Sequence, residues 1–162
     1  MLCFWYNNGI RMDVSNYKAV ILAGGKGTRL YPITKEIPKP LLPVKRKPTI
    51  NYLVDLFHSY NVRDIGVLIG GDFQEDFEWW KRRYYDNKPI QFFVESEPLG
   101  TFGGLWFTKD WVGESNLFFT NGDEIKEVDL AEMAQFHANN TSDATIALVE
   151  VSNPQDYGVA VT

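Results

Sequence analysis

Glycines and basic residues are concentrated in one short segment, Leu22-Ala-Gly-Gly-Lys-Gly-Thr-Arg-Leu30. Its three glycines let a ligand approach the backbone closely, so that N–H groups can point at phosphate oxygens. Arg29 adds a planar, permanently charged guanidinium that suits phosphate. The segment does not contain the Gly-x-x-x-x-Gly-Lys-Ser/Thr pattern of a Walker A motif, and Leu30 stands where a dinucleotide fingerprint has its third glycine. A tight turn after a strand is the alternative, and Thr28 beside Arg29 favours phosphate binding.

A second segment, Pro38-Lys39-Pro40-Leu-Leu-Pro43, fixes a lysine between prolines. The prolines restrict where Lys39 can point, so its compact charge could be held on a phosphate. A solvated lysine in a proline-rich loop is the alternative. Prolines throughout residues 31–48 exclude a continuous helix there, which leaves a long loop, ordered or mobile.

These segments lie between alternating strands and helices. Apolar runs predict strands at Lys18–Ala23, Asp64–Gly70, Ile90–Glu95, Leu117–Thr120, Ala144–Val151 and Gly158–Thr162. Apolar residues with helical spacing from Ile50 to Phe57 predict one amphipathic helix. A second helix is predicted with Phe73, Phe77, Trp80 and Tyr84 on one face. Further helices are predicted from Thr101 and Asp129. The predicted fold is α/β: a Rossmann-like, mostly parallel sheet with helices on both faces. Ligands bind such sheets at the carboxyl ends of strands, where Gly24–Arg29, Glu95–Thr101 and Asn121–Asp123 would meet.

Composition excludes several classes of protein. The net charge is −5 and basic residues are scattered, which argues against a nucleic-acid partner. No segment approaches the ~18 apolar residues of a membrane span, and the single cysteine, Cys3, excludes an internal disulfide. We expect a cytoplasmic protein without a membrane partner. Association into a homo-oligomer is one alternative, because Trp79 and Trp80 fit either the core or a contact between subunits.

The run from Lys18 to Thr34, with the proline-flanked lysine segment after it, resembles the signature of the sugar nucleotidyltransferases, or nucleoside-diphosphate-sugar pyrophosphorylases. Three later segments match in the expected order: Glu95-Ser-Glu-Pro-Leu-Gly-Thr101, Asn121-Gly-Asp123 and Tyr157-Gly-Val-Ala160. The resemblance covers residues 18–162 and is greatest to mannose-1-phosphate guanylyltransferases. It implies the nucleotide-diphospho-sugar transferase fold, with a nucleoside triphosphate and a sugar 1-phosphate as substrates and pyrophosphate as a product.

The resemblance also implies roles for the matching positions. Arg29, Lys39 and Asp123 are catalytic, Asp123 holds Mg²⁺, and Gly158 contacts the sugar through its backbone. The nucleotide is bound by residues that follow the strands, namely Leu22, Ala23, Gly24, Gly25, Gly27, Thr28, Arg29, Glu95, Pro98, Gly100 and Thr101. Phe102 departs from the small residue usual after Leu-Gly-Thr, which affects local packing against the base.

The reaction suits these residue types on chemical grounds. A sugar-phosphate oxygen attacks the α-phosphorus while pyrophosphate leaves, so the protein must neutralise charge and align two anions. Mg²⁺ takes one or two carboxylates plus phosphate oxygens, and Asp123, after Gly122 at a strand end, suits that task. A turn aspartate is the alternative, and Glu124 is an adjacent competitor for the metal.

Glu95 stands where the family places a base-reading side chain. An ionised glutamate only accepts hydrogen bonds, and guanine offers two adjacent donors. Uracil and thymine offer one donor between two carbonyls, which a carboxylate would repel. We therefore expect GTP, with mannose 1-phosphate as the sugar. The alternatives are base reading by Glu97 or by backbone atoms, and a glucose-1-phosphate thymidylyl- or uridylyltransferase.

The domain prediction has two parts. Residues 1–17 form an N-terminal extension, in which Met12 is the expected native start and residues 1–11 are upstream translation or a disordered arm. Residues 18–162 form the nucleotidyltransferase domain. Family members continue further, with more of the sugar site and a second metal-binding aspartate, so we expect a truncated domain with little or no activity alone. A non-catalytic nucleotide-binding regulatory subunit is the alternative of another class.

Overall fold

The computed structural model describes residues 11–97, 99–153, 155 and 158. Its strands are β1 (Lys18–Leu22), β2 (Pro43–Val44), β3 (Lys47–Pro48), β4 (Asp64–Gly70), β5 (Ile90–Glu95) and β6 (Leu117–Asn121). Four of them form a parallel sheet in the order β5-β4-β1-β6, and β2 pairs with β3 in a small antiparallel hairpin.

The helices follow the strands in alternation. They are α1 (Thr49–Ser59), α2 (Gln74–Tyr85), α3 (Gly100–Gly103), α4 (Lys109–Val112) and α5 (Leu130–Asn139). As predicted, Asp129 marks the start of α5: it is the N-cap residue, and its carboxylate accepts the backbone N–H groups of Ala131 and Glu132. None of the helices in the described part of the chain is long and apolar enough to cross a membrane.

Both faces of the sheet are covered, because side chains alternate along each strand. Ala19 and Ile21 of β1 belong to the main core, together with buried residues of α1, α2 and α5. Val20 faces the other way, in register with Gly66 on β4. The short helical segments around α3 and α4 cover this second face, since a Cβ at Gly66 would lie 3.1 Å from Trp111. The predicted α/β fold with helices on both faces is confirmed.

The proline-rich loop contains no continuous helix, as predicted. It consists of short 3₁₀ turns at Ile33–Lys35 and Lys39–Leu41, followed by the β2–β3 hairpin. Thr49 ties the end of the loop to α1, since its backbone N–H and its hydroxyl both donate to the Leu42 carbonyl, at 3.1 and 2.9 Å. The loop that carries Lys39 is therefore anchored to α1 at its end.

Two predictions about secondary structure are wrong in detail. Residues 144–151 form no strand, because no described strand pairs with them, and Ile146, Leu148 and Val149 are exposed. On α2, Tyr84 is exposed, whereas Tyr85 is buried. Tyr85 lies eight residues after Phe77, so it also falls on the apolar face of the helix, and its hydroxyl donates to Asp55 of α1 at 2.8 Å.

The structure also bears on the predicted ends of the chain. Residues 1–10 and most of the predicted strand Gly158–Thr162 lie outside the described residues. Within the predicted N-terminal extension, Val14 and Tyr17 are buried in the main core. Residues 11–17 are therefore packed on the domain rather than separate from it, because these two apolar side chains complete the core beneath β1.

Candidate functional site

A cleft of about 660 Å³ opens at the carboxyl ends of the parallel strands. Its floor contains one residue from each central strand, Leu22, Leu68, Glu95 and Asn121. The register pairs Leu22 with Leu68 and with Asn121, so these side chains share one face of the sheet. The glycine-rich segment, Glu95 and the Asn-Gly-Asp segment therefore meet at this edge, as the parallel sheet predicted.

The glycine-rich loop forms one wall of the cleft. Gly27 has left-handed backbone angles, φ 59° and ψ 32°, and begins the 3₁₀ turn Thr28–Leu30. Gly24 lies so close to the end of β4 that a Cβ there would be 3.2 Å from the backbone nitrogen of Gly70. The loop therefore needs glycine at both positions, which leaves its backbone open toward the cleft.

Gly122 brings the Asn-Gly-Asp segment against the end of β1. Its backbone N–H donates to the Leu22 carbonyl at 2.8 Å, and a Cβ would lie 2.7 Å from that oxygen. Because a larger residue would push the two strand ends apart, the glycine fixes the position of Asp123 beside the glycine-rich loop.

Lys39 and Asp123 meet across the cleft. The Lys39 Nζ lies 2.5 Å from Asp123 Oδ2, and both side chains are partly exposed to the cleft. The Pro-Lys-Pro segment thus directs its lysine toward the cleft, which favours the phosphate-binding interpretation of Lys39 over a solvated lysine. Arg29 and Lys26 add two further cations to the lining, so the cleft offers three positive groups against the carboxylates of Glu95 and Asp123.

Glu95 ends β5 on the cleft side. Its Oε1 accepts the backbone N–H of Leu99 at 3.0 Å. The carboxylate lies between two glycines, since a Cβ at Gly24 would be 3.1 Å from Oε2 and a Cβ at Gly104 would be 3.4 Å from Oε1. Each carboxylate oxygen has further acceptor capacity, so Glu95 can still bind donors of a ligand beside the glycine-rich loop.

Glu124, the competitor for a metal, is engaged outside the cleft. It accepts hydrogen bonds from Lys126 and from the Asn121 side chain, and the bond from Lys126 holds the pKa of Glu124 below its usual range. The described residues contain no group of three or more metal-ligating side chains. The carboxylate of Asp123 lines the cleft, so it could serve as a single protein ligand for the Mg²⁺ that the resemblance implies, an ion that commonly takes one or two carboxylates together with phosphate oxygens.

Most of the predicted site residues line this one cleft. They are Leu22, Ala23, Gly24, Gly25, Gly27, Thr28, Arg29, Lys39, Glu95, Gly100 and Asp123. Pro98 and the Thr101 side chain lie outside the described structure, and Gly158 is exposed and is not part of the lining. Phe102 also stays out of the cleft: it is exposed and packs against Phe119, with ring centroids 5.5 Å apart.

Sequence reasoning missed several lining residues, namely Lys26, Leu30, Pro40, Leu68 and Asn121. Four of them lie within or beside the motifs, so their position in the sequence was a usable signal. Leu68 lies two residues before the end of β4 and could be found only from the strand register that places it beside Leu22.

Comparisons with known proteins agree with this geometry. A family model described as nucleotidyl transferase matches residues 18–162. The mannose-1-phosphate guanyltransferase of Yarrowia lipolytica is 38% identical over 149 residues, which are 89% of this chain and 40% of that protein. The mannose-1-phosphate guanylyltransferase of Mycobacterium tuberculosis is 32% identical over 155 residues, 93% of this chain and 42% of that protein. The chain thus spans about 40% of the length of these curated relatives.

Solved structures show the same fold. A putative glucose-1-phosphate thymidylyltransferase from Bacillus anthracis, in complex with sucrose, superposes with a TM-score of 0.70 at 30% identity, over 77% of this chain and 51% of that chain. HddC from Yersinia pseudotuberculosis, complexed with GMP-PN, gives a TM-score of 0.63 at 30% identity, over 74% and 53% of the two chains. Since the family model covers the described sheet and the whole cleft-forming region, the chain belongs to the nucleotidyl transferase family.

Proposed function

We propose that the cleft transfers a nucleotide from a nucleoside triphosphate to a sugar 1-phosphate. One observation carries the proposal: the glycine-rich loop with Arg29, the proline-rich loop with Lys39, and Asp123 after β6 are three separate segments that line a single cleft. An oxygen of the sugar phosphate forms a bond to the α-phosphorus, and the bond from that phosphorus to the bridging oxygen of pyrophosphate breaks. Both reactants are anions, so the cations of the cleft neutralise charge and align them.

Each cation has a distinct place in this scheme. Arg29 and the backbone of the glycine-rich loop bind the triphosphate, and Lys39 contacts the reacting phosphates from the opposite loop. Asp123 would hold Mg²⁺ together with phosphate oxygens, and the metal would supply further charge neutralisation. Because such contacts strengthen in the transition state, Arg29→Ala and Lys39→Ala are expected to lower mainly the turnover.

We propose GTP as the nucleotide and mannose 1-phosphate as the sugar. The position of Glu95 supports guanine, since its carboxylate borders the glycine-rich loop and only accepts hydrogen bonds. The mannose-1-phosphate guanyltransferase relatives and the GMP-PN complex of HddC point to the same base. A glucose-1-phosphate thymidylyl- or uridylyltransferase is the second candidate, favoured by the similarity to the Bacillus anthracis structure.

The test compares binding of GTP, UTP and dTTP, each with Mg²⁺, by calorimetry. Wild type is expected to prefer GTP, and Glu95→Gln to lose about tenfold to a hundredfold in GTP affinity, the range for hydrogen bonds to a charged group. Glu97→Gln is the matched control, because Glu97 is exposed and lies outside the cleft lining. Equal binding of the three nucleotides by wild type, or an undiminished preference in Glu95→Gln, would remove Glu95 as the reader of the base.

Activity is then measured as pyrophosphate release from GTP and mannose 1-phosphate. An enzyme with this cleft is expected to release pyrophosphate only when both substrates are present, and Asp123→Asn to abolish the release. Tight nucleotide binding without any release from an intact protein that contains this chain would support the regulatory alternative instead.

A further inference from the structure

Thr34 is a buried polar residue in an otherwise exposed stretch of the proline-rich loop. Its exposed fraction is 2%, whereas Tyr31, Ile33 and Ile37 around it are exposed to 45%, 56% and 42%. Burial of a hydroxyl is unfavourable unless it is hydrogen-bonded. The position of Thr34 therefore depends on the partner that its hydroxyl finds.

That partner is the backbone of the glycine-rich loop. The Thr34 Oγ1 donates to the Gly27 carbonyl at 2.7 Å, and the same carbonyl accepts the Leu30 N–H at 2.9 Å. The Thr34 methyl lies beside the Cα of this glycine, since a Cβ at Gly27 would be 3.1 Å from Thr34 Cγ2. Two donors and one methyl thus fix a residue in the left-handed conformation.

Fixing the Gly27 carbonyl also fixes the next N–H. A trans peptide unit is planar, so the N–H of Thr28 points opposite to the carbonyl of Gly27. Thr28 and Gly27 both line the cleft. The hydroxyl of Thr34 therefore sets the direction of a backbone donor at the place where the triphosphate is proposed to bind.

Lys39 lies beside the same glycine. A Cβ at Gly27 would lie 3.4 Å from the Cβ of Lys39, and the Lys39 Nζ reaches Asp123 inside the cleft. Thr34 and Lys39 belong to one loop and meet the glycine-rich loop at one residue. The bond from Thr34 to Gly27 thus joins the two loops whose charges must face one phosphate chain.

We propose that Thr34 is a positioning residue, which holds the glycine-rich loop in its phosphate-binding shape and ties it to the loop that carries Lys39. The inference rests on the proposed function, because it assigns the cleft to a polyphosphate. Thr34 itself lies outside the cleft lining and acts through Gly27 and Thr28.

The experiment uses the whole chain and three variants. Thr34→Val keeps the shape and removes the hydroxyl, whereas Thr34→Ser keeps the hydroxyl and removes the methyl. Thr108→Val is the matched control: Thr108 is also buried and its Oγ1 donates to the Leu105 carbonyl at 2.8 Å, but it lies outside the cleft lining. Binding of tripolyphosphate and of GTP, each with Mg²⁺, is measured by calorimetry, and amide hydrogen exchange is followed without ligand.

We expect Thr34→Val to bind both probes about threefold to tenfold more weakly, the factor expected for one hydrogen bond. Thr34→Ser should return to within about twofold of wild type, since it restores the bond. Of the three variants, only Thr34→Val is expected to show faster hydrogen exchange of the Leu30 amide. Thr108→Val is expected to change the thermal stability of the protein without changing its affinity for either probe. This combination separates loop positioning from a general loss of stability.

The outcomes also separate this inference from the proposed function. Unchanged affinity for tripolyphosphate in Thr34→Val overturns the role of Thr34 and leaves the proposed function standing. Wild type could bind tripolyphosphate with the expected Thr34 dependence and yet bind GTP, UTP and dTTP no more tightly than tripolyphosphate. That result supports the inference and overturns the proposed function. Wild type that binds neither probe overturns both.

Discussion

Replacing Lys39 with methionine is expected to change metal binding in opposite directions with and without nucleotide. The Lys39 ammonium is paired with Asp123 at 2.5 Å, so a metal ion must displace the lysine to reach that carboxylate. Lys39→Met removes this competitor and keeps an apolar side chain of similar length. With GTP bound, the same substitution removes a cation beside the phosphates, so nucleotide-dependent metal binding is expected to weaken.

The magnitude follows from the exposure of the pair. The side chains are 39% and 30% exposed, and ion pairs with such access to water contribute about 0.2–1 kcal/mol. Lys39→Met is therefore expected to lower the free energy of unfolding by no more than about 1 kcal/mol. The affinity of the free chain for a divalent ion is expected to rise by the corresponding factor, about 1.4-fold to fivefold.

Mn²⁺ titration followed by electron paramagnetic resonance measures this affinity directly. Lys47→Met is the control, because Lys47 is also ion-paired, with Asp55, and neither residue lines the cleft. Asp123→Asn is expected to abolish the specific Mn²⁺ signal. If Lys39→Met binds Mn²⁺ no more tightly than wild type in the absence of nucleotide, the lysine does not compete with the metal and the reasoning fails.

Three further predictions concern stability. Gly27→Ala is expected to lower the free energy of unfolding by about 1–2 kcal/mol, because alanine is strained at the left-handed angles of this position. Gly25→Ala is the control: no atom lies within 4 Å of the added Cβ, so this variant should unfold like wild type in the same urea titration. An equal loss of unfolding free energy in the two variants would contradict the prediction. Asn51→Ala is expected to cost about 1–3 kcal/mol, since it leaves the buried indole N–H of Trp80 without its acceptor at 2.7 Å; a loss within the error of urea denaturation would show that the bond contributes little. Burial lowers the pKa of His58 and leaves its Nε2 without a hydrogen-bond partner. The His58 imidazole is therefore protonated at higher pH in the unfolded chain than in the folded one, so the folded state loses stability as the pH falls below about 6.5. His58→Gln should reduce the difference in urea stability between pH 7.5 and 5.5, and an unchanged difference would refute the assignment.

The sequence alone was sufficient for the sheet and for the segments of the cleft. Buried parallel strands are short apolar runs, so β1, β4, β5 and β6 were predicted within one residue of their observed ends. The glycine-rich segment and the Pro-Lys-Pro segment were identified from residue chemistry. Their meeting at one edge followed from a general rule, because the carboxyl ends of parallel strands lie on the same side of a sheet.

Only the tertiary structure showed which groups contact each other. The pairing of Lys39 with Asp123, the bond from Thr34 to Gly27 and the burial of Tyr85 in place of Tyr84 all join residues from different segments. A periodic pattern reports which face of an element is apolar, whereas a contact also depends on how the elements pack. Residues 144–151 show the same limit: their sequence favours a strand, but a strand forms only where a neighbouring strand supplies its hydrogen bonds.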